Sequence, residues 1–250
     1  MSGHSKWHNI RLRKGKQDAQ RSNLFTKLAR EIIVAARAGG GNPDANLRLR
    51  LCVQKAREQS MPQDNIKRAI QRGAGEIDGA QYEEATYEGY GPGGVAVMVS
   101  CLTDNRNRTV ADLRPVFSKN GGSLGETGCV SWMFEQKGMV NIERSAVDED
   151  KLMEVALDAG AEDIRTEDDS YDVITAPDEF PNVRQAIVDA GIPSVNAEVT
   201  MLPKNTVRIE GREAHQMLRM MDQLDEIDDV QQVYANFDIP EEVLEAAAAE

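Results

Sequence analysis

The 250-residue sequence has three cysteines, Cys52, Cys101 and Cys129, and no C-x-x-C pair. Three distant thiols make neither a disulfide framework nor a zinc pattern, so reduced cysteines are expected. Histidine is equally scarce: His4, His8 and His215. His4 and His8 are spaced i, i+4, which suits a metal only on an ordered helix with further ligands. No metal or other cofactor is expected. H-E-x-x-H and G-x-S-x-G do not occur, and Gly15-Lys16 is followed by Gln17, so there is no P-loop. No apolar run reaches the ~18 residues that a membrane-spanning helix needs. The segment from Met1 to His8 lacks the apolar stretch of a signal peptide. A cytoplasmic protein with no small-molecule substrate is the expectation.

Positive charge is also in deficit. The formal net charge is −13, with 29 Lys/Arg against 42 Asp/Glu. Spread evenly, that would exclude a polyanion partner, but it is not spread evenly. Residues 1–75 carry 16 Lys/Arg and 5 Asp/Glu, a net of +11, and the remainder carries −24. Such asymmetry points to a nucleic-acid partner for the basic part. Beyond Arg219 there is no Lys or Arg at all. That stretch reads as a solubilising surface or as a competitor for the basic arm.

Residues 1–22 are polar and basic, and too poor in apolar side chains to order themselves alone. They are expected to form a flexible arm. Over 23–38 the apolar positions Phe25, Leu28, Ile32 and Ala36 fall at helical spacing, and Gly39-Gly40-Gly41 ends the run. Asn42-Pro43 reads as the N-cap and first turn of a second helix through Leu47–Gln59. Met61-Pro62-Gln63-Asp64 opens a third, with Ile66, Ala69 and Ile70 inward and Lys67, Arg68 and Arg72 outward. Residues 23–75 thus read as a basic three-helix domain.

From 76 the pattern changes. Tyr82–Tyr90 and Val95–Leu102 are strand-like, and 107–119 suggests a helix with Pro115 inside it, so a kink or a late start is expected. Val130–Phe134 reads as a strand. Residues 135–204 give strand 139–143, helix 148–159, strands 161–166 and 171–175, helix 179–190 and strand 196–202. That β-α-β-β-α-β order is a split βαβ, ferredoxin-like unit. Helix 211–225 and strand 230–237 would complete the sheet begun at 82–134. The fold class is therefore α+β: an N-terminal three-helix domain plus two α/β domains. A ferredoxin-like unit (135–204) is inserted into a discontinuous middle domain (76–134 and 205–238). An acidic tail, 239–250, follows.

Gly89-Tyr90-Gly91-Pro92-Gly93-Gly94 matches G-x-G-x-x-G, but a dinucleotide site needs a helix after it and here a strand follows. A tight connecting turn is expected. The glycine run from Gly121 to Gly128 admits an anion-binding nest, opposed by Glu126, or a long turn. Thr103–Thr109 is the densest polar cluster of the acidic part. Asn107 or Thr109 would cap a helix there, and Asp104 would shape a turn. Alternatively Asp104, Asn105, Arg106 and Arg108 form a secondary binding loop, with the arginines offering forks to phosphate. A catalytic use of Asp104 and Arg106 is the weakest reading, since no nucleophile–base pair accompanies them.

The basic segment carries the strongest signal. Its candidate nucleic-acid contacts are Lys6, Trp7, Arg11, Arg13, Lys14, Lys16, Arg21, Lys27, Arg30, Arg48, Arg50, Lys67 and Arg68. Each cation that neutralises a phosphate releases counterion, and Trp7 could stack on an unpaired base.

Several stretches together resemble the YebC family, which includes the mitochondrial translational activator of cytochrome c oxidase. They are Gly3-His4-Ser5-Lys6-Trp7, Asp18-Ala19, Phe25-Thr26-Lys27-Leu28, Ala35-Ala36-Arg37 before the glycines, Met61-Pro62 and Asn65-Ile66. Tyr87 to Gly94, Thr103 to Thr109, Gly121-Gly122 and Val130-Ser131-Trp132-Met133-Phe134 complete the set. The resemblance implies three domains, one helical and two α/β, in a non-enzymatic cytoplasmic protein. Members are commonly described as DNA-binding transcriptional regulators. Others look like ribosome-associated translation factors contacting rRNA or tRNA, some relieving stalling at proline-rich stretches. The matching arm and helix cations carry over as contacts. A nucleic-acid-binding regulator of gene expression is the expectation, DNA-binding and transcriptional in its first form, with the ribosome as the alternative partner.

Overall fold

In the computed structural model, Trp7, residues 17–167 and residues 169–249 are described. The chain divides into two compact units. One comprises 17–129 and 212–233; the other comprises Trp7, 130–211 and 234–249.

The first unit opens with α1 (Gln17–Gly39), α2 (Leu47–Glu58) and α3 (Gln63–Gly73). Helix α1 starts at Gln17, so 17–22, expected in the arm, are helical. Leu28, Ile32, Ile33, Leu49, Val53, Ala56, Ile66 and Ala69 make one buried core. A Cβ on Gly73 would stand 2.5 Å from the Ile33 carbonyl oxygen, which is why α3 can press its end against α1. The N-cap of α2 is Asn46, not Asn42: its Oδ1 accepts from the Leu49 N–H at 3.1 Å. Asn42 and Pro43 form a separate turn, in which the Asn42 side chain accepts from the Asp44 N–H at 3.0 Å. The helix then starts afresh at the next good cap.

The same unit holds a four-stranded sheet in the order β3-β1-β2-β9. Its strands are β1 (Glu83–Tyr90), β2 (Ala96–Thr103), β3 (Ser123–Leu124) and β9 (Val230–Ala235, the last two residues assigned to the second unit). Strands β1 and β2 pair antiparallel, with Glu83 opposite Thr103 and Tyr90 opposite Ala96. Between them Pro92–Gly94 makes one tight turn, as the strand after the glycine motif required. Helix α4 (Arg106–Lys119) starts well before Pro115 and continues through it, so the helix does not start late. Pro115 removes the N–H that would reach Ala111, and both residues are exposed, so water can hydrate the freed carbonyl. Helix α7 (Gly211–Asp225) buries Met217, Leu218, Met220, Met221 and Leu224.

The second unit contains the β-α-β-β-α-β order read from the sequence. It runs β4 (Phe134–Glu143), α5 (Glu149–Asp158), β5 (Asp163–Thr166), β6 (Ser170–Thr175), α6 (Phe180–Asp189) and β7 (Asn196–Pro203). The sheet order is β5-β6-β4-β7, antiparallel throughout, the arrangement of a split βαβ unit. Val140, Ile142, Tyr171 and Val173 meet Leu152, Ala156, Val183 and Ile187 in its core. The expected strand at 130–134 is not formed: Ser131–Met133 is a single 3-10 turn, and β4 starts at Phe134. The expected strand 230–237 is likewise divided. Phe237–Asp238 (β10) leaves β9 and pairs parallel with Val207–Arg208 (β8). The acidic tail carries a helix, α8 (Glu241–Ala249), with Leu244 fully buried.

Candidate nucleic-acid interface

The exposed cations of the helical module follow from its helical period. With Leu49, Val53 and Ala56 inward, α2 turns Arg48, Arg50, Lys55 and Arg57 outward. With Ile66, Ala69 and Gly73 inward, α3 turns Lys67, Arg68 and Arg72 outward. Not all of them are available. Arg48 pairs with Glu84, and Lys55 with Glu31 at 3.1 Å. Arg50 donates to the carbonyls of Pro43 and Asp44 at 3.1 and 2.8 Å. Among the described residues Arg37, Arg57, Lys67, Arg68 and Arg72 are exposed and have no ion-pair partner. Three of the five, Arg37, Arg57 and Arg72, are not among the sequence candidates. Helical spacing from the buried positions is the signal that finds them.

Two sequence candidates are withdrawn from any surface. Lys27 and Arg30 are each 8% exposed. Lys27 Nζ donates to the Asp225 carboxylate and carbonyl, both at 2.7 Å. Arg30 Nη1 donates to Asp229 Oδ1 at 2.6 Å, to the Asp228 carbonyl at 2.5 Å and to the Leu102 carbonyl at 3.2 Å, and its guanidinium lies 5.0 Å from the Tyr82 ring. Helix α1 lies on the C-terminal acids, which no sequence period could reveal. Trp7 is also buried, at 4%, so its ring is not presented for stacking. Lys6, Arg11, Arg13, Lys14 and Lys16, with His4 and His8, lie outside the described residues, and Arg21 falls in the first turns of α1.

The 103–109 segment is used internally. Asn105, rather than Asn107 or Thr109, caps α4, its side chain accepting from the Arg108 N–H at 3.1 Å. Arg106 forms a fork with Glu83 at 2.7 and 3.0 Å, and this hydrogen bond holds the Glu83 carboxyl below its ordinary value. Arg108 donates to Asp104 at 2.7 Å and to both Asp229 oxygens at 3.1 and 3.0 Å. Thr103 and Thr109 hydroxyls donate to Asp229 Oδ2 at 3.0 and 2.8 Å. Burial pushes the Asp229 carboxyl up, but the bonds from Thr109, Arg108, Arg30 and Thr103 outweigh it and hold it below the ordinary value. Both arginine forks are therefore already occupied by carboxylates of the same unit.

The glycine run does not present an anion nest either. Ser123–Leu124 adds a strand to the sheet, and the Gly128 N–H donates to the buried Glu88 carboxylate at 2.8 Å. Among the described residues no group of three or more His, Cys, Asp or Glu is placed to hold a metal. No helix of the described residues is long and apolar enough to cross a membrane.

Comparison with known proteins adds a family. Residues 5–76 match the model of the TACO1/YebC N-terminal domain, and residues 82–237 match that of the TACO1/YebC second and third domain. A "probable transcriptional regulatory protein" of Pelotomaculum thermopropionicum is 56% identical over 241 residues, covering 96% of this chain and 99% of that one. One of the same description from Desulforapulum autotrophicum is 56% identical over 246 residues, covering 98% and 100%. The crystal structure of a conserved hypothetical protein from Aquifex aeolicus superposes with a TM-score of 0.80 at 49% identity, over 90% of this chain and 93% of that one.

Proposed function

The chain belongs to the TACO1/YebC family, and on that premise we propose that it is a nucleic-acid-binding regulator of gene expression. At family level the relatives are named as transcriptional regulators, which supports a regulator. Because transcription acts on DNA, duplex DNA is the first partner of this proposal. One observation carries the reading to these residues. Arg37, Arg57, Lys67, Arg68 and Arg72 stand exposed on one small helical module of an otherwise acidic chain, with no carboxylate partner among the described residues. Such cations break no ion pair on meeting phosphate and release its counterions, so they add affinity that falls with salt. Lys6, Arg11, Arg13, Lys14 and Lys16 add the same charge near the start of the sequence.

The test is a titration of the full chain with duplex DNA and with structured RNA at several salt concentrations. Crosslinking of bound nucleic acid in lysate and sedimentation through a sucrose gradient accompany it. Saturable DNA binding with a steep salt dependence, and no co-migration with ribosomes, supports a DNA-binding transcriptional role. Crosslinks to ribosomal RNA in ribosomal fractions would replace it with a translational one. Binding to neither nucleic acid would remove the proposal.

A further inference from the structure

A hollow of about 430 Å³ lies on the helical module, lined by Pro43, Asp44, Arg50, Val53, Gln54 and Arg57. Its rim is built before any ligand arrives. Arg50 holds the 43–44 turn by two hydrogen bonds to its carbonyls. Asn42 closes the turn from one side through the Asp44 N–H. Asn46 anchors the other side, donating to the Ala35 and Gly40 carbonyls at 2.8 and 2.9 Å while capping α2. The turn is thereby tied to α1, to the glycine linker and to α2. A site held this way binds with little ordering cost.

Two groups in the hollow remain unspent. The Asp44 carboxylate and the Arg57 guanidinium are exposed, and neither has a hydrogen-bond partner among the described residues. Asp44 lies in the turn before α2 and Arg57 in the last turn of α2. Arg50, which grips the Asp44 turn, and Arg57 are seven residues apart on α2, about 10 Å at the helical rise. Val53, otherwise buried in the helical core, and Pro43 supply the apolar part of the lining. The lining thus holds one acceptor group before α2, one cation in the last turn of α2, and apolar atoms of Val53 and Pro43.

We infer that this hollow seats a single unpaired guanine. The Asp44 carboxylate accepts from the base N1–H and N2–H, and Arg57 takes the adjoining phosphate. The chemistry selects the base. A carboxylate offers only acceptors, and guanine is the base whose exposed Watson–Crick edge carries two adjacent donors. Adenine presents an acceptor at N1, which the carboxylate would repel. In a duplex that edge is already paired, so the hollow requires an unpaired position, as in a loop, a bulge or a melted strand. The guanine site rests on the nucleic-acid-binding reading above and sharpens it from charge to a base.

The experiment uses the full chain and hairpins that differ only in carrying guanine or adenine at one unpaired loop position. Fully paired versions of both serve as controls. The guanine loop should bind about tenfold more tightly than the adenine loop, the size of one good bidentate contact. Asp44→Asn should abolish that preference with little loss on the adenine loop. Arg57→Gln should weaken both loops alike. Both residues are exposed, and circular dichroism checks that the variants fold. Equal binding of the two loops by the unaltered chain, or a preference that survives Asp44→Asn, overturns the guanine site and leaves the charge-based reading standing. Failure to bind any of the four nucleic acids overturns both.

Discussion

Arg30 on α1 and Asp229, just before β9, meet at 2.6 Å, 199 residues apart in sequence. Around the same carboxylate Thr103, Arg108 and Thr109 also donate, so the helical module and the sheet share one buried anion. Removing the carboxylate would strand the buried Arg30 charge. Asp229→Ala should lower stability by about 3–5 kcal/mol, measured by urea denaturation at neutral pH. The pH sign follows from the depressed carboxyl. The contribution is complete above the unfolded-state value of about 3.9 and is lost as pH falls through the lower folded value. Acid denaturation should therefore be shallower in Asp229→Ala than in the unaltered chain.

Asp172 behaves oppositely. It is 3% exposed, and burial raises its carboxyl even though Asn141 donates to it at 2.7 Å. A raised carboxyl binds its proton more tightly in the folded state, so stability falls as pH rises from the unfolded toward the folded value, and the penalty persists at neutral pH. Asp172→Asn should raise the denaturation midpoint at pH 7 and leave it unchanged in acid. A lower midpoint at pH 7 would contradict this.

The exposed and the buried cations should separate in a salt titration of nucleic-acid binding. Replacing Arg57, Lys67, Arg68 and Arg72 with Gln should flatten the slope by roughly 0.9 for each duplex phosphate that is no longer neutralised. Lys27→Gln and Arg30→Gln should leave the slope as it is and lower the melting temperature instead.

Gly73 faces the α1 backbone, where an added methyl would meet the Ile33 carbonyl at 2.5 Å and the Ala36 Cβ at 2.6 Å. Gly73→Ala should force α3 from α1 and cost on the order of 1–3 kcal/mol, the range for overpacked cores. Calorimetry of the full chain checks it.

Burial pushes the thiol of Cys52 up to about 11 and that of Cys101 up to about 12. Since the thiolate is the reactive form, both should resist a thiol reagent at pH 8 until the chain unfolds. Rapid labelling of Cys101 in native conditions would be inconsistent with its full burial.

Local periodicity settled a good deal. The apolar spacing of Leu28, Ile32, Ile66 and Ala69 dictates helices, and the β-α-β-β-α-β order read over 135–204 dictates which strands share a sheet, because each element must bury one face against its neighbours. The charge split located the basic module for a simpler reason: charge is additive along the chain. Boundaries were less legible where two signals competed. Asn42-Pro43 reads as the cap, but Asn46 takes that role because it is anchored to Ala35 and Gly40. What the residues could not reveal is which cations are spent. Lys27 and Lys67 read alike in one dimension, since a positive charge off the apolar stripe has no partner until the chain folds. The acids that claim Lys27 and Arg30 lie about two hundred residues away, at 225 and 229. Tertiary structure alone brings them together, and in doing so it decides which of the described cations stay exposed without a carboxylate partner.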